Sequence, residues 1–158
     1  MFYHITLDTN LRPQFWQKYS LSELNDDEWE ALCDGCGVCC LHKFMDDDPQ
    51  DTEYTDVACQ LLDCTTGQCS DYANRKAYVA DCIRLTPQMM PIMMWLPRHC
   101  AYKRLYLGQN LPRWHYLVAG QQAHAKGLAK VGTAGRAVSE CGMTDEMIEE
   151  RVVRWVRV

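Results

Sequence analysis

The stretch CDGCGVCC, residues 33 to 40, sets four of the chain's ten cysteines within eight positions. Its glycines interrupt any helix or strand, so it has to be a loop, and its thiols suggest what holds that loop in place. Two thiolates two residues apart can grip one metal ion, because the turn between them aims both sulfurs at one point. Gly35 and Gly37 permit positive φ and let backbone N–H groups approach those sulfurs. Cys33, Cys36 and Cys39 repeat this spacing. Cys40 is harder to place, since neighbouring side chains usually diverge. The expectation is that Cys39 and Cys40 serve different metals, or that one of them stands behind the ligands.

Cys59, Cys64, Cys69, Cys82 and Cys100 follow at wide intervals. A lone buried cysteine is an ordinary small hydrophobe, but with the cluster these supply sulfur for one four-coordinate site or two. Zinc takes four N or S ligands in a tetrahedron. An iron–sulfur cluster also takes four cysteines, commonly in the run C-x2-C-x2-C-x3-C-P. Here C-x2-C-x2-C-C is followed by Leu41, and spacing alone leaves zinc and iron–sulfur open. A thioredoxin-like C-x2-C sits where a strand meets a helix; this one follows a helix, which disfavours thiol exchange without removing it. A disulfide framework suits an oxidising compartment. The N-terminus has no basic, apolar and small-residue sequence of a secretory signal, so a cytoplasmic protein with reduced cysteines is expected.

The remaining composition narrows the classes. Sixteen basic against 21 acidic side chains give a net charge of −5, and with no basic footprint a nucleic-acid partner is not expected. The longest apolar stretch, MMPIMMWLP, is far short of the roughly 18–20 residues that span a bilayer, so no membrane partner is expected either. A metal ion is the one partner implied; no protein partner can be named. There is no Walker A loop, G-x-G-x-x-G or G-x-S-x-G, and no catalytic constellation is recognisable.

Along the chain, with no repeat or linker, one domain over 1–158 is the simplest organisation. The first twenty residues, with Phe2, Tyr3, Phe15, Trp16 and Tyr19, are expected to lie irregularly across the core. A helix starts at LNDDEWEALC: Asn25 as N-cap, Glu28 completing a capping box, Leu24 and Trp29 as a hydrophobic staple. FMDDDPQDTEYTD reads as an exposed acidic loop; Asp46, Asp47, Asp48 and Asp51 lack EF-hand spacing. SDYANRKAYVADC suggests a short helix or turn, and Thr86–Pro87 opens another. CAYKRLYLGQNLP reads as a helix closed by Gly108, and TAGRAVSEC is the best strand candidate. An amphipathic helix is expected over about 145–157, with Ile148, Val152, Trp155 and Val156 on its apolar stripe. The fold expected is mainly α with minor β (α+β), a small irregular domain cross-linked by a cysteine metal site.

The segments EWEALCDGCGVCCLHK, YTDVACQLLD, CSDYANR, DCIRL, WLPRHCAY and LPRWHYLVAG resemble a bacterial family of uncharacterised cysteine-cluster proteins, the YcgN type. The resemblance runs from about residue 28 to 120 and continues more weakly beyond. It implies zinc or iron chelation, names no reaction, and places Cys33, Cys36, Cys39, Cys40, Cys59, Cys69, Cys82 and Cys100 at the family's cysteine positions. The chain departs from the pattern at Gly67, where members often carry a further cysteine and where Cys64 lies nearby. It departs again at Ala80 and Tyr116, where proline is usual. Cys141 falls outside the pattern.

Other residues carry two readings each. His42 could add a nitrogen ligand or be a surface side chain, and His115 could be a ligand, a general base or a hydrogen-bonded core histidine. Asp34 and Asp81 could tune thiolates or be loop carboxylates. Met89, Met90, Met93 and Met94 raise copper(I), for which thioethers are soft ligands, against ordinary gap filling. The function expected is metal binding by cysteines holding zinc or an iron–sulfur centre. The alternative is a redox, thiol-active or electron-transfer role for the same residues.

Overall fold

The structure is a computed structural model that describes residues 10–158; Phe2 and Tyr3 lie outside the described residues. It begins with a short helix, α1 (Phe15–Lys18), and a 3-10 turn at Leu21–Glu23, then α2 (Asp26–Ala31). The capping box forms as expected. Asn25 Oδ1 accepts from Glu28 N–H at 2.9 Å, and Glu28 Oε2 accepts from Asn25 N–H at 3.1 Å. Asp26, Asp27 and Glu28 set negative charge at the positive end of the helix.

Glu28 is fully buried and does more than cap. Its Oε1 accepts from Arg12 N–H at 3.0 Å and from Arg12 Nε at 2.8 Å, while Oε2 takes the other guanidinium nitrogen at 2.8 Å. The arm preceding α1 is thereby fastened to the start of α2. This bidentate contact holds the Glu28 carboxyl down at about 2.

After α2 comes the cysteine loop, with a 3-10 turn at Val38–Cys40, and then β1 (Leu41–Phe44). β1 pairs antiparallel with β2 (Glu53–Ala58), and the ladder carries an irregularity between Leu41 and Lys43. Part of the expected acidic loop is therefore the central strand of the sheet. Its polar residues conceal it: Thr55 is fully buried because its hydroxyl donates to His42 O, and Tyr54 because its hydroxyl donates to Trp95 O.

A two-stranded hairpin, β3 (Leu62–Asp63) with β4 (Gln68–Cys69), and a one-turn helix, α3 (Arg75–Tyr78), follow. The segment opened by Thr86–Pro87 is a 3-10 helix, Pro87–Ile92. Met90 and Met93 are buried in the core, with Met89 and Met94 packed against it. The methionines thus do the work of gap filling.

α4 (Ala101–Tyr106) ends before Gly108 as expected. α5 (Tyr116–Val131), a helix the sequence patterns did not announce, is broken near its start at Gly120, whose φ is 84°. Gly127 on α5 lies against the indole of Trp114, where a β-carbon would come within 2.2 Å of the ring. The strand candidate forms β5 (Val138–Ser139), parallel to β2.

The last helix, α6, covers only Asp145–Glu149 instead of about 145–157. The chain then turns extended beside β2: Asp56 N–H donates to Arg151 O, Val153 N–H donates to Tyr54 O, and Val152 bridges Thr55. Arg151 also makes two bonds to the Asp56 carboxylate, at 2.8 and 2.9 Å. Unpaired strand groups and β-branched valines outweigh the helical period here. Ile148 is buried and Trp155 and Val156 still pack on the core, but Val152 is exposed. The whole is a single small α+β domain. Among the described residues no helix is long and apolar enough to cross a membrane.

Candidate metal centre

The end of α2 and the loop after it present carbonyls with acceptor capacity left over from the helix. Side chains from the second half of the chain take them. The Tyr102 hydroxyl donates to Trp29 O at 2.7 Å, and the Tyr116 hydroxyl donates to Ala31 O. His115 Nδ1 accepts from Leu117 N–H, which leaves Nε2–H to donate to Leu32 O at 2.9 Å. His124 Nδ1 accepts from Tyr116 N–H, so its Nε2–H donates to Asp34 O at 2.8 Å. Thr133 donates to Cys36 O through both its hydroxyl and its N–H, each at 2.9 Å. His115 is fully buried, and its role is the hydrogen-bonded core histidine.

Held in this way, the loop buries Asp34 and Val38, keeps Cys36 and Cys40 half-buried and leaves Cys33 and Cys39 exposed. Gly35 N–H and Val38 N–H hydrogen-bond the Cys33 and Cys36 thiols and favour their ionised forms. The relation from residue i to i+2 recurs at Cys59, whose sulfur accepts from Leu61 N–H at 3.5 Å. Gly37, at φ 74°, sits so close to Thr133 and Gly67 that a β-carbon would fall 2.5 Å from the hydroxyl and 2.6 Å from Gly67 O. The glycine standing at position 67 is thus part of the loop's support.

Cys100, at the start of α4, joins Cys33, Cys36 and Cys39 around Asp34. Each of these four thiols feels the Asp34 charge. The protein packed around Cys33 raises its thiol to about 12 although the residue keeps contact with solvent, and Asp34 and Cys39 add to the rise. Cys36 and Cys100 are raised for the same first reason.

Cys39 moves the other way. The Cys40 thiol hydrogen-bonds it, the Lys43 ammonium assists, and its pKa falls; Cys40, as the donor, is raised. The two neighbouring side chains therefore meet instead of diverging. Residues in a 3-10 turn are offset by about 120°, not by the half-turn of a strand, and two short thiols can touch across that angle.

The polar centre of this group is Asp34, 7% exposed. Its Oδ1 accepts from Cys36 N–H at 2.9 Å. Among the described residues its Oδ2 has no hydrogen-bond partner, and neither has the buried His99 Nε2 that faces it at 3.6 Å. Burial holds His99 below its ordinary pKa against the opposing pull of Asp34, and Arg104 and Arg98 add to the lowering. A buried carboxylate oxygen and a neutral imidazole nitrogen left unpaired are both donors to a cation. With the Cys36 sulfur their ligand atoms all lie within 4.8 Å of one another. This donor set fits a zinc or ferrous ion. His99 went unnoticed in the sequence; its one signal is that it adjoins Cys100.

The remaining candidates divide. Cys59 N–H donates to Cys40 O at 2.9 Å where the β1–β2 ladder begins, and Cys69 pairs with Leu62 in the β3–β4 hairpin. His42 Nε2 lies 2.6 Å from Glu140 Oε2, occupied away from the sulfurs. Cys64 packs against the core, its carbonyl taking Gly135 N–H, and Cys141 is exposed. A cavity of about 360 Å³ opens beside Gly35, Cys36, His124 and Thr133.

Residues 32–101 match the family profile CxxCxxCC, described as "Putative zinc- or iron-chelating domain". A UPF0260 protein of Ectopseudomonas mendocina is 46% identical over 141 residues, 88% of this chain and 93% of the relative. One from Pseudomonas putida is 45% identical over the same length, covering 88% and 92%. One from Parvibaculum lavamentivorans is 45% identical over 147 residues, covering 93% and 95%. No solved structure matches. The likeness spans nearly the full length of both partners and includes the C-x2-C-x2-C-C loop, and the chain belongs to the UPF0260 family.

Proposed function

We propose that this protein is a metal-binding domain in which Cys33, Cys36, Cys39 and Cys100 hold zinc or an iron–sulfur centre. The observation that carries the reading is the pair of unpartnered buried atoms, Asp34 Oδ2 and His99 Nε2, set among four thiols. A fold that brings five side chains to five carbonyls of α2 and the loop after it has no packing reason to leave these two without partners. Asp34 and His99 would either complete the coordination of a single ion or orient the thiolates around a cluster. The metal would supply the cross-link between the loop after α2 and the start of α4. The chain's own residues clamp that loop by its carbonyls and aim N–H groups at the thiols.

Anaerobic purification of the full chain with elemental analysis tests this reading. Bound zinc in a colourless protein, or iron with sulfide and visible absorption, supports it. Metal-free protein that takes up neither metal after reduction overturns it.

A second reading rests on Cys39, which is exposed and acidified by its neighbour. It is thiol chemistry at the Cys39–Cys40 pair. Alkylation of metal-free protein at pH 7, with the labelled cysteines identified by mass spectrometry, tests it. Preferential labelling of Cys39 supports it, and labelling no faster than at Cys141 argues against it.

A further inference from the structure

We propose that residues 151–158 form a strap whose docking is coupled to occupancy of the metal centre: it holds the turn that carries His99 and Cys100, and it loosens when the ion leaves. This deepens the metal-binding reading above and rests on it. The strap joins three pieces of the site's frame. It starts on β2, where Val153 N–H donates to Tyr54 O at 2.8 Å and Arg151 grips the Asp56 carboxylate at 2.8 and 2.9 Å. Trp155 then takes the Arg136 guanidinium over its ring, 4.8 Å from the centroid. Arg136 N–H donates to Thr133 O at 2.9 Å, and Thr133 is the residue that clamps Cys36 O. Finally the strap meets the segment before α4, where Arg98 N–H donates to Arg157 O at 2.8 Å.

That last bond lands on the turn that matters. Cys100 N–H closes it on Pro97 O at 2.9 Å, so Arg98 and His99 are its two central residues. The strap is fastened unevenly. Its β2 end has backbone pairing and a two-bond ion pair, whereas its far end has the single Arg98 bond and the half-buried Trp155, Val156 and Val158 packed on the core. Segments held by few bonds open first. Without an ion, Asp34 Oδ2 and His99 Nε2 have no hydrogen-bond partner among the described residues. An outward swing of the 97–100 turn brings them water and breaks the Arg98–Arg157 bond. With an ion, ligation fixes His99 and Cys100, and turn and strap stay together. Such coupling is reciprocal: whatever frees the strap weakens metal binding by the same factor.

Residue-resolved amide exchange on the reduced full chain, loaded with zinc(II) and stripped of it, tests the first half. Removing zinc should speed exchange at Arg98 N–H about 10-fold and leave the α5 amides unchanged. A chain ending at Val156, which lacks Arg157 O, tests the second half by competition with a chromophoric chelator. It should hold zinc about 10-fold more weakly, while its metal-free Tm matches that of wild type, because the strap is already loose in that state. A strap that only supports the fold would instead lower the metal-free Tm and leave the affinity alone. That result, or equal Arg98 exchange with and without zinc, overturns the coupling while leaving the metal-binding reading intact. Should the shortened chain not fold by circular dichroism, Arg98 exchange in wild type decides. Wild type that binds no metal sinks the metal-binding reading and the coupling with it.

Discussion

Glu28 and Asp34 are two buried carboxylates six residues apart, one at each end of α2's stretch of chain, and they are treated in opposite ways. Glu28 has both oxygens saturated, by Arg12 and by the N-cap backbone. Asp34 has one oxygen satisfied by Cys36 N–H and the other facing an equally unpartnered His99. The first is a carboxylate used to build, since its charge is neutralised within the chain. The second is kept incomplete among thiols, where a cation would complete it. The contrast separates residues that make the fold from residues that the fold exists to present.

The largest effect that could break this contrast comes from the loop between the sulfurs. Gly37→Val places a side chain against Thr133 and Gly67 at a positive φ. It should cost on the order of 3 kcal/mol and abolish metal retention. Urea denaturation with elemental analysis checks it, and a variant that keeps its metal would show the loop to be softer than its geometry implies. Glu28→Gln should lower Tm on the order of 5 °C, with and without metal alike, because it removes a charged hydrogen-bond pair.

A depressed carboxyl stabilises the fold above its unfolded pKa. The wild-type advantage over Glu28→Gln should therefore be full at neutral pH and fade as pH falls from about 4.5 towards about 2. Urea midpoints across that range measure it. Asp34→Asn should do the reverse of Glu28→Gln, leaving the metal-free fold almost unchanged while weakening metal binding about 10–100-fold. Competition with a chromophoric chelator reads that affinity. The smallest effect belongs to His42→Ala, which loses a half-exposed contact with Glu140. It should shift stability by less than about 1 kcal/mol and leave metal content untouched.

What could be read from sequence follows the range of the interactions. The capping box at Asn25 and Glu28 is legible because all its atoms lie within four residues. The Cys33–Cys40 loop is legible because the thiol spacing is itself the signal. β2 was hidden because Thr55, Asp56 and Glu53 make it look solvated, and only the partners at His42 O and Trp95 O explain its burial. The terminal stripe at Ile148, Val152 and Trp155 predicted a long helix, and competition from β2 for Val153 N–H and Arg151 O cut it short. His99 and the unsatisfied oxygen of Asp34 could not be seen, because an unpaired atom is a property of the packed structure. The pairing of Cys39 with Cys40 ran against expectation for the same reason: backbone angles, not adjacency, decide where two thiols point.

The five donors that grip the cysteine loop have a consequence in time. The loop leaves the ribosome early, but Thr133 stands 97 residues after Cys36. At ordinary bacterial and eukaryotic elongation rates that interval is about 5 to 20 seconds. Throughout it the thiols at 33 to 40 are synthesised but not clamped, and Cys100 arrives only part-way through. The window in which these sulfurs can be oxidised, or can take the wrong metal, is thus set by the order of the chain and closes when the last clamp emerges.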